Sequence, residues 1–317
     1  MLLCVAHGGD PKKAVIAALV ANGGIAIAKF VAAYLSGSAT MLAEGVHSVA
    51  DTANQALLLV GMALSARGAT ALHPFGRHRE SYFWAFIVSL MLFFLGGVFA
   101  IYEGVHKLTH PGGEHGSLVA PVVVLVVAIV LEAGSFYIAA REFQKARGGR
   151  SIRDALFSGK DPVIPLVVLE DSGAILGLVI ALAAVLLSWA TGNPIFDGAG
   201  SIFIGVLLCI IGVALAHDTR SLLIGEGIDE GSRKQVIELA AGTPGVEAVT
   251  QVLSLHLGPD AVLLALKVRF REHMDLPEVE RAINDIEHRV SSSLPIMKRI
   301  FVEPDSHNDP ARDANFV

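Results

Sequence analysis

The sequence predicts an α-helical polytopic membrane protein, with six transmembrane helices followed by a small cytoplasmic α+β domain. Three observations carry this. The mean hydropathy is +0.59, and hydrophobic residues make up 53% of the chain against 17% charged, where a soluble chain carries about 25% charged. The apolar residues gather into six stretches, each near the ~20 residues that a bilayer-crossing helix needs. Beyond about residue 226 charges become frequent and the hydrophobic spacing becomes that of a soluble domain. The expected organisation is a transmembrane domain over 1–225, a C-terminal domain over 226–305 and a disordered tail over 306–317.

The first span is expected from about Ala14 to Leu35, interrupted by Asn22 and Lys29, with Lys29 close enough to the outer face to snorkel. The second runs from about Thr40 to Ser65 and carries Glu44, His47 and Asp51. The third covers about Tyr82–Val105, the fourth Leu118–Ala140, the fifth Val163–Ala190 and the sixth Ile195–Ala216. Arg67, Arg77 and Arg79 follow the second span, and Arg141, Lys145, Arg147, Arg150, Arg153 and Lys160 follow the fourth. Lys12 and Lys13 precede the first, whereas the opposite loops carry only Lys107. Lys and Arg accumulate on the cytoplasmic side, so both termini are expected there.

In the C-terminal domain, residues 230–241 are expected to form a short helix, and 246–257 and 261–271 strands. Leu264, Leu266, Val268 and Phe270 alternate with Lys267, Arg269 and Arg271, the period of a half-buried strand. Over 277–290, Pro277 suits a first helical turn, and Val279, Ile283, Ile286 and Val290 share one face. A last strand at 297–303 completes a helix-covered sheet. The final dozen residues, rich in Asp, Asn and Pro, are expected to be disordered.

The two cysteines, Cys4 and Cys209, give no disulfide framework. The net charge of −6 does not suggest a nucleic-acid partner. No separate signal peptide or Arg-rich transit segment is read at the N-terminus, and no Gly-rich phosphate-binding loop occurs in the sequence.

Ionisable groups inside a spanning helix cost roughly 2.5–3.5 kcal/mol each on insertion scales and mark functional sites by default. The second span holds Glu44-Gly-Val-His47-Ser-Val-Ala-Asp51. His47 and Asp51 stack one turn apart on one face, an imidazole and a carboxylate suited to two positions of a tetrahedral metal site. Asn54 lies on nearly the same face. The fifth span holds Leu169-Glu170-Asp171-Ser172. At 1.5 Å per residue, Asp51 lies about 16 Å from the outer end of its span and Asp171 about 14 Å from the inner end of its own. In a core of about 30 Å the two meet near the midplane, where transporters place their sites. Two carboxylates at one depth repel unless a cation or protons neutralise them. The alternative is a purely structural polar network. Glu170 lies about 100° around the helix from Asp171.

Other candidates are weaker. His106, His110 and His115, with Glu103 and Glu114, surround the outer loop after the third span, which reads as a wet interfacial loop. His73, in His73-Pro74-Phe75-Gly76-Arg77, is expected to shape a cytoplasmic loop. His256 and His288 lack partner spacing and read as surface or packing residues. Glu132 and Asp197 either line the pathway or cap a helix.

These residues carry a family resemblance. SGSATMLAEGVHSVADTANQ resembles the second-span signature of the cation diffusion facilitators, in which His-x-x-x-Asp supplies half the transport site. His73-Pro74-Phe75-Gly76 resembles the next cytoplasmic loop of that family. The run YFWAFIVSLMLFFLGGVFAIYEGVHKLTHP is similar to the branch that includes the mitochondrial zinc exporter and its bacterial relatives. Six spans plus a ferredoxin-like C-terminal domain match the family's whole architecture. The resemblance implies a homodimeric metal/proton antiporter, not an enzyme, in a bacterial plasma membrane. It would hold no resident cofactor and would export a divalent cation, Zn²⁺ first. Its site would be His47, Asp51 and Asp171, completed either by Glu170 or by water.

The chain departs from the family pattern in three places. Most zinc-exporting members place a His or Asp four residues before the fifth-span Asp, where this chain has Val167. One nitrogen and several oxygens also make Mn²⁺, Fe²⁺ or Co²⁺ plausible cargo. The loop ligands near His73 are replaced by Thr70 and Arg77, and the C-terminal domain lacks the His cluster that pairs zinc ions in some relatives. Metal requires a neutral imidazole and ionised carboxylates, so protonation of the same groups would expel it. Two rivals come from other classes. An intramembrane metalloprotease needs His-Glu-x-x-His, which the sequence lacks. A non-transporting regulatory protein that kept the fold is the other, and Val167 is the feature that favours it.

Overall fold

A computed structural model of the chain describes residues 9–36, 39–110, 119–157, 159–193 and 195–305. The side chains of residues 35, 36, 39–44, 46, 47 and 120 also lie outside the described set. The described residues divide into two compact units, between Leu223 and Ile224.

The first unit is helical. Its elements are α1 (Pro11–Ser36), α2 (Ala39–Ser65), α3 (Glu80–Met91), a π-helical segment (Leu92–Val98), α4 (Phe99–Thr109), α5 (Val119–Arg147), α6 (Ile152–Phe157), α7 (Val163–Thr191) and α8 (Ile195–Ile224). α3, the π-helical segment and α4 run on as one helix, Glu80–Thr109. With α1, α5, α7 and α8 this makes five helices long and apolar enough to cross a bilayer. α2 is the sixth, 27 residues long but interrupted by Glu44, His47, Asp51, Asn54 and Gln55. The chain is thus an α-helical polytopic membrane protein.

Helix length follows composition. With no water in the hydrocarbon core, every backbone N–H and C=O must pair within its own segment, and long helices do this. Two helices outrun their apolar stretches. α5 continues to Arg147 and α8 to Ile224, past the expected ends at Ala140 and Ala216. The added turns carry Glu142, Lys145 and Asp218, polar residues that helices tolerate once they leave the apolar layer. Glu142 is bonded there by Lys145 and by the Asp10 backbone N–H at 2.8 Å, which ties the start of α1 to the end of α5.

Packing relies on small residues. Along α1, Ala14, Ala18, Ala21, Ile25, Ala26 and Ala33 are buried at helical spacing, and this stripe packs on α2 and α5. Four close approaches place a glycine against α8 or within it. A Cβ at Gly97 would come within 2.4 Å of Cys209 Sγ, one at Gly104 within 2.7 Å of the Gly198 carbonyl, and one at Gly205 within 2.7 Å of the Gly97 carbonyl. At Gly212 it would lie 3.0 Å from the Phe93 backbone. Such contacts let helices approach where lipid leaves no hydrophobic drive between them.

The second unit has α9 (Glu230–Ala241), β1 (Val246–Gly258), β2 (Ala261–Phe270), α10 (Leu276–Ser293) and β3 (Met297–Pro304). The sheet order is β1-β2-β3, with β1 antiparallel and β3 parallel to β2. Val262, Leu264, Leu266 and Val268 of the central strand are all buried, and they pack with Val236 and Ala240 of α9 and Ile286 and Val290 of α10. This is the helix-covered sheet expected from strand alternation. Asp229 caps α9 by accepting from the Ser232 N–H. Asp275 and Glu278 form a reciprocal capping box on α10, with Pro277 in its first turn. His256 is buried, the packing reading of the two open to it. The expected tail, 306–317, lies outside the described residues.

Candidate functional site

The site is built where α2, α5 and α7 present polar side chains inside the helical unit. Asp171 of α7 is 1% exposed and its Oδ2 accepts a hydrogen bond of 2.8 Å from Ser135 Oγ of α5. Glu170, next in the chain, is also buried. Its two oxygens both face α2: Oε1 accepts from Asn54 Nδ2 at 3.2 Å and Oε2 from Gln55 Nε2 at 2.6 Å. Neighbouring positions 170 and 171 thus address different helices, as the 100° step between them requires.

Asp51 lies one turn before Asn54 and Gln55 on α2. It and Asp171 are both close enough to Glu170 to repel its charge. The same two acids act on Glu132 of α5, and Lys29 of α1 attracts it. Asp51, Glu132, Glu170 and Asp171 therefore form one acidic neighbourhood, with Lys29 as a buried cation beside it. Lys29 is buried and does not snorkel to the outer face; Glu132 attracts it electrostatically, and a buried ammonium is costly unless paired. Glu132 is buried in mid-helix and caps nothing. Asp197, in the first turn of α8, instead pairs with Lys107 at 3.1 Å, and Lys107 reaches Glu103 at 3.4 Å.

Among the described residues, no three His, Cys, Asp or Glu side chains converge closely enough to hold a metal ion. His47 lies on the α2 backbone, but its side chain is outside the described residues, as is that of Glu44. A nitrogen donor is thus absent from the geometry given above. Val167 is fully buried in the apolar core, so no donor stands at the position where most of the resembling family places one.

The remaining histidines divide. His106 and His110 are exposed on the last turns of α4, their rings 4.8 Å apart in edge contact; Glu114 and His115 lie outside the described residues. His73 shapes its loop: its N–H meets Thr70 Oγ1 at 3.1 Å, its carbonyl accepts from the Gly76 N–H at 3.0 Å, and Gly76 takes φ +85°. Sequence reasoning did not find the Glu170 partnership with Gln55. Its signal was present in the adjacent amides Asn54 and Gln55, polar residues that a membrane helix keeps only with a partner.

A model of the cation efflux transmembrane domain matches residues 15–224. The chain belongs to the cation diffusion facilitator family, a family of membrane transporters. It is 32% identical over 284 residues to the proton-coupled zinc antiporter SLC30A9, mitochondrial, of Xenopus laevis, a match covering 87% of this chain and 51% of that protein. It is 35% identical over 266 residues to metal tolerance protein C4 of Arabidopsis thaliana, covering 83% of this chain and 58% of the relative. The chain thus spans about half the length of these curated relatives. Magnetosome protein MamB of Paramagnetospirillum magneticum is 24% identical over 278 residues, with 87% and 88% covered. A solved nickel form of the MamM CTD covers 25% of this chain at 12% identity, with a TM-score of 0.24.

Proposed function

We propose that the chain exports a divalent metal cation, Zn²⁺ first, in exchange for protons, through a site made by His47 and Asp51 of α2 and Asp171 of α7. The observation that carries this reading is the polar meeting of α2, α5 and α7 inside a membrane domain, where Ser135 bonds Asp171 and Asn54 and Gln55 bond Glu170, with Asp51 one turn away on α2. Acidic side chains from three helices make a neighbourhood that a cation can neutralise. Carboxylate oxygens and one imidazole suit Zn²⁺ and also Mn²⁺, Fe²⁺ or Co²⁺. The metal is substrate, not a resident cofactor. The family and the zinc antiporter among the relatives support the cargo and the coupling.

Transport by this reading needs no covalent step. A cation from the cytoplasmic side meets ionised Asp51 and Asp171 and neutral His47. Ser135 holds Asp171 Oδ2 in place, which leaves Oδ1 for the cation. After the helices rock, protons from the other side take the same groups and release it. The protein acts as a homodimer in a bacterial plasma membrane, both termini cytoplasmic, an orientation supported by the Lys and Arg between α2 and α3 and between α5 and α7.

The test is transport by the purified full chain in sealed liposomes, against Zn²⁺, Mn²⁺, Fe²⁺ and Co²⁺, with and without an opposing pH gradient. Zn²⁺ flux that the gradient accelerates supports the reading. No flux of any divalent metal from well-inserted protein would favour the non-transporting alternative.

A further inference from the structure

Glu170, Asn54 and Gln55 form a buried polar contact of their own. Gln55 is 0% exposed and Asn54 3%. Each amide gives an N–H to a different oxygen of one carboxylate, so a single acid ties two successive positions of α2 to α7. The amide oxygens, Asn54 Oδ1 and Gln55 Oε1, are buried and have no hydrogen-bond partner among the described residues. The hydrogen bonds these two side chains make therefore end on Glu170. The contact sits beside the proposed transport site on both of its helices: Asn54 and Gln55 follow Asp51 by about one turn, and Glu170 adjoins Asp171.

We propose that the Asn54–Gln55–Glu170 contact is a strut that fixes the spacing of α2 and α7 at the transport site, and that Glu170 is a positioning residue and not a metal donor. This rests on the reading of Asp51 and Asp171 as the cation's donors. Bidentate acceptance by a buried carboxylate defines both distance and rotation between two helices, which one hydrogen bond cannot do. An ion held between Asp51 and Asp171 senses that spacing directly. A Glu170 that left the strut to bind metal would strand two buried amides in hydrocarbon, where unsatisfied groups are costly. The arrangement also gives Val167 a reason: with the adjoining position spent on a strut, α7 offers the ion Asp171 alone and keeps apolar packing one turn away.

The experiment uses the full chain in detergent and in liposomes, with Co²⁺ as a spectroscopic probe, and two arms. The first compares the visible absorption of bound Co²⁺ in wild type, Glu170→Gln and Asp51→Asn. A strut predicts that Glu170→Gln keeps the Co²⁺ band intensity, and so the number of ligands, with band positions shifted only slightly, while Asp51→Asn alters or abolishes the intensity. A change of intensity in Glu170→Gln like that in Asp51→Asn makes Glu170 a ligand and overturns the inference. The second arm needs no metal. Gln55→Leu and Glu170→Leu should each lower the thermal midpoint of metal-free protein, and the double variant should lose clearly less than their sum. The exchange Gln55→Glu with Glu170→Gln, which keeps one amide facing one carboxylate, should recover most of the midpoint. Additive losses with no recovery overturn the strut. If wild type binds no Co²⁺, or Asp51→Asn leaves its spectrum unchanged, the transport-site reading fails, and the second arm still decides the strut.

Discussion

Ser135 gives Asp171 a fixed hydrogen bond from a third helix. Groups that orient a metal ligand commonly cost 10–100-fold in affinity when removed. Ser135→Ala is therefore expected to weaken divalent-metal binding about tenfold, read by calorimetry in detergent, with insertion unaffected. Asp51→Ala and His47→Ala remove proposed donors and are expected to abolish flux in liposomes while the protein still inserts; normal flux in either variant would remove the site. At this scale the sequence was partly legible. The i+4 spacing of His47 and Asp51 and the matching depths of Asp51 and Asp171 follow from helix geometry alone. What Glu170 faces does not, because a position 100° from Asp171 can meet either neighbour until packing is known. Lys29 misled for a similar reason. Its depth suggested an escape to the outer face, yet it is buried, with Glu132 of α5 among the charges that attract it.

Helix ends and close contacts set the next scale. The capping box of α10 satisfies two backbone N–H groups at once, and loss of such a cap costs about 1 kcal/mol. Asp275→Ala should lower the melting midpoint of a domain this size by roughly 4–8 °C, read by circular dichroism on the isolated C-terminal unit. Burial alone would raise the Asp229 carboxyl, but the hydroxyl and backbone N–H of Ser232 hold it below its ordinary value. A folded-state value below the unfolded one, near 3.9, means the cap stabilises α9 at neutral pH. That stabilisation fades as pH falls through the folded-state value. An NMR titration of Asp229 should show its depressed midpoint, and Ser232→Ala should raise it. In the membrane unit, Gly205→Val sets a branched side chain against the Gly97 carbonyl and the Ile101 backbone N–H. It should halve or worse the yield of monodisperse protein in detergent. The order and type of these elements were readable from periodicity; the long extensions of α5 and α8 were not, since hydropathy marks where the apolar layer ends and not where a helix does.

The molecule joins a bundle adapted to lipid to a unit with a soluble core. The core of the second unit is complete in itself, closed by α9 and α10 over β2. Residues 226–305 are expected to fold alone, as a soluble dimer, with no metal required. A need for Zn²⁺, seen as unfolding or dissociation when a chelator is added, would contradict this. Composition announced the division, because lipid and water select opposite surfaces. The polar links between helices stayed hidden, since each joins residues far apart in the chain.

The π-helical segment Leu92–Val98 sets the rotational phase of the helix that contains it. Up to its first residue, Tyr82, Ala85, Ser89 and Leu92 are buried at ordinary α-helical intervals. Uniform winding would carry that stripe on through Gly96 and Phe99, yet Phe99 is exposed, and Gly97 and Gly104, which uniform winding would turn off the stripe, are buried. One residue of slack turns the second half by about 100°. The turn brings the glycine face of that half onto α8, and the bulky Leu95 and Phe99 point away. Deleting Phe94 would take up the slack, straighten the winding and swing Gly104 off Gly198, so a change of one residue at mid-membrane would unseat a contact about three turns beyond it.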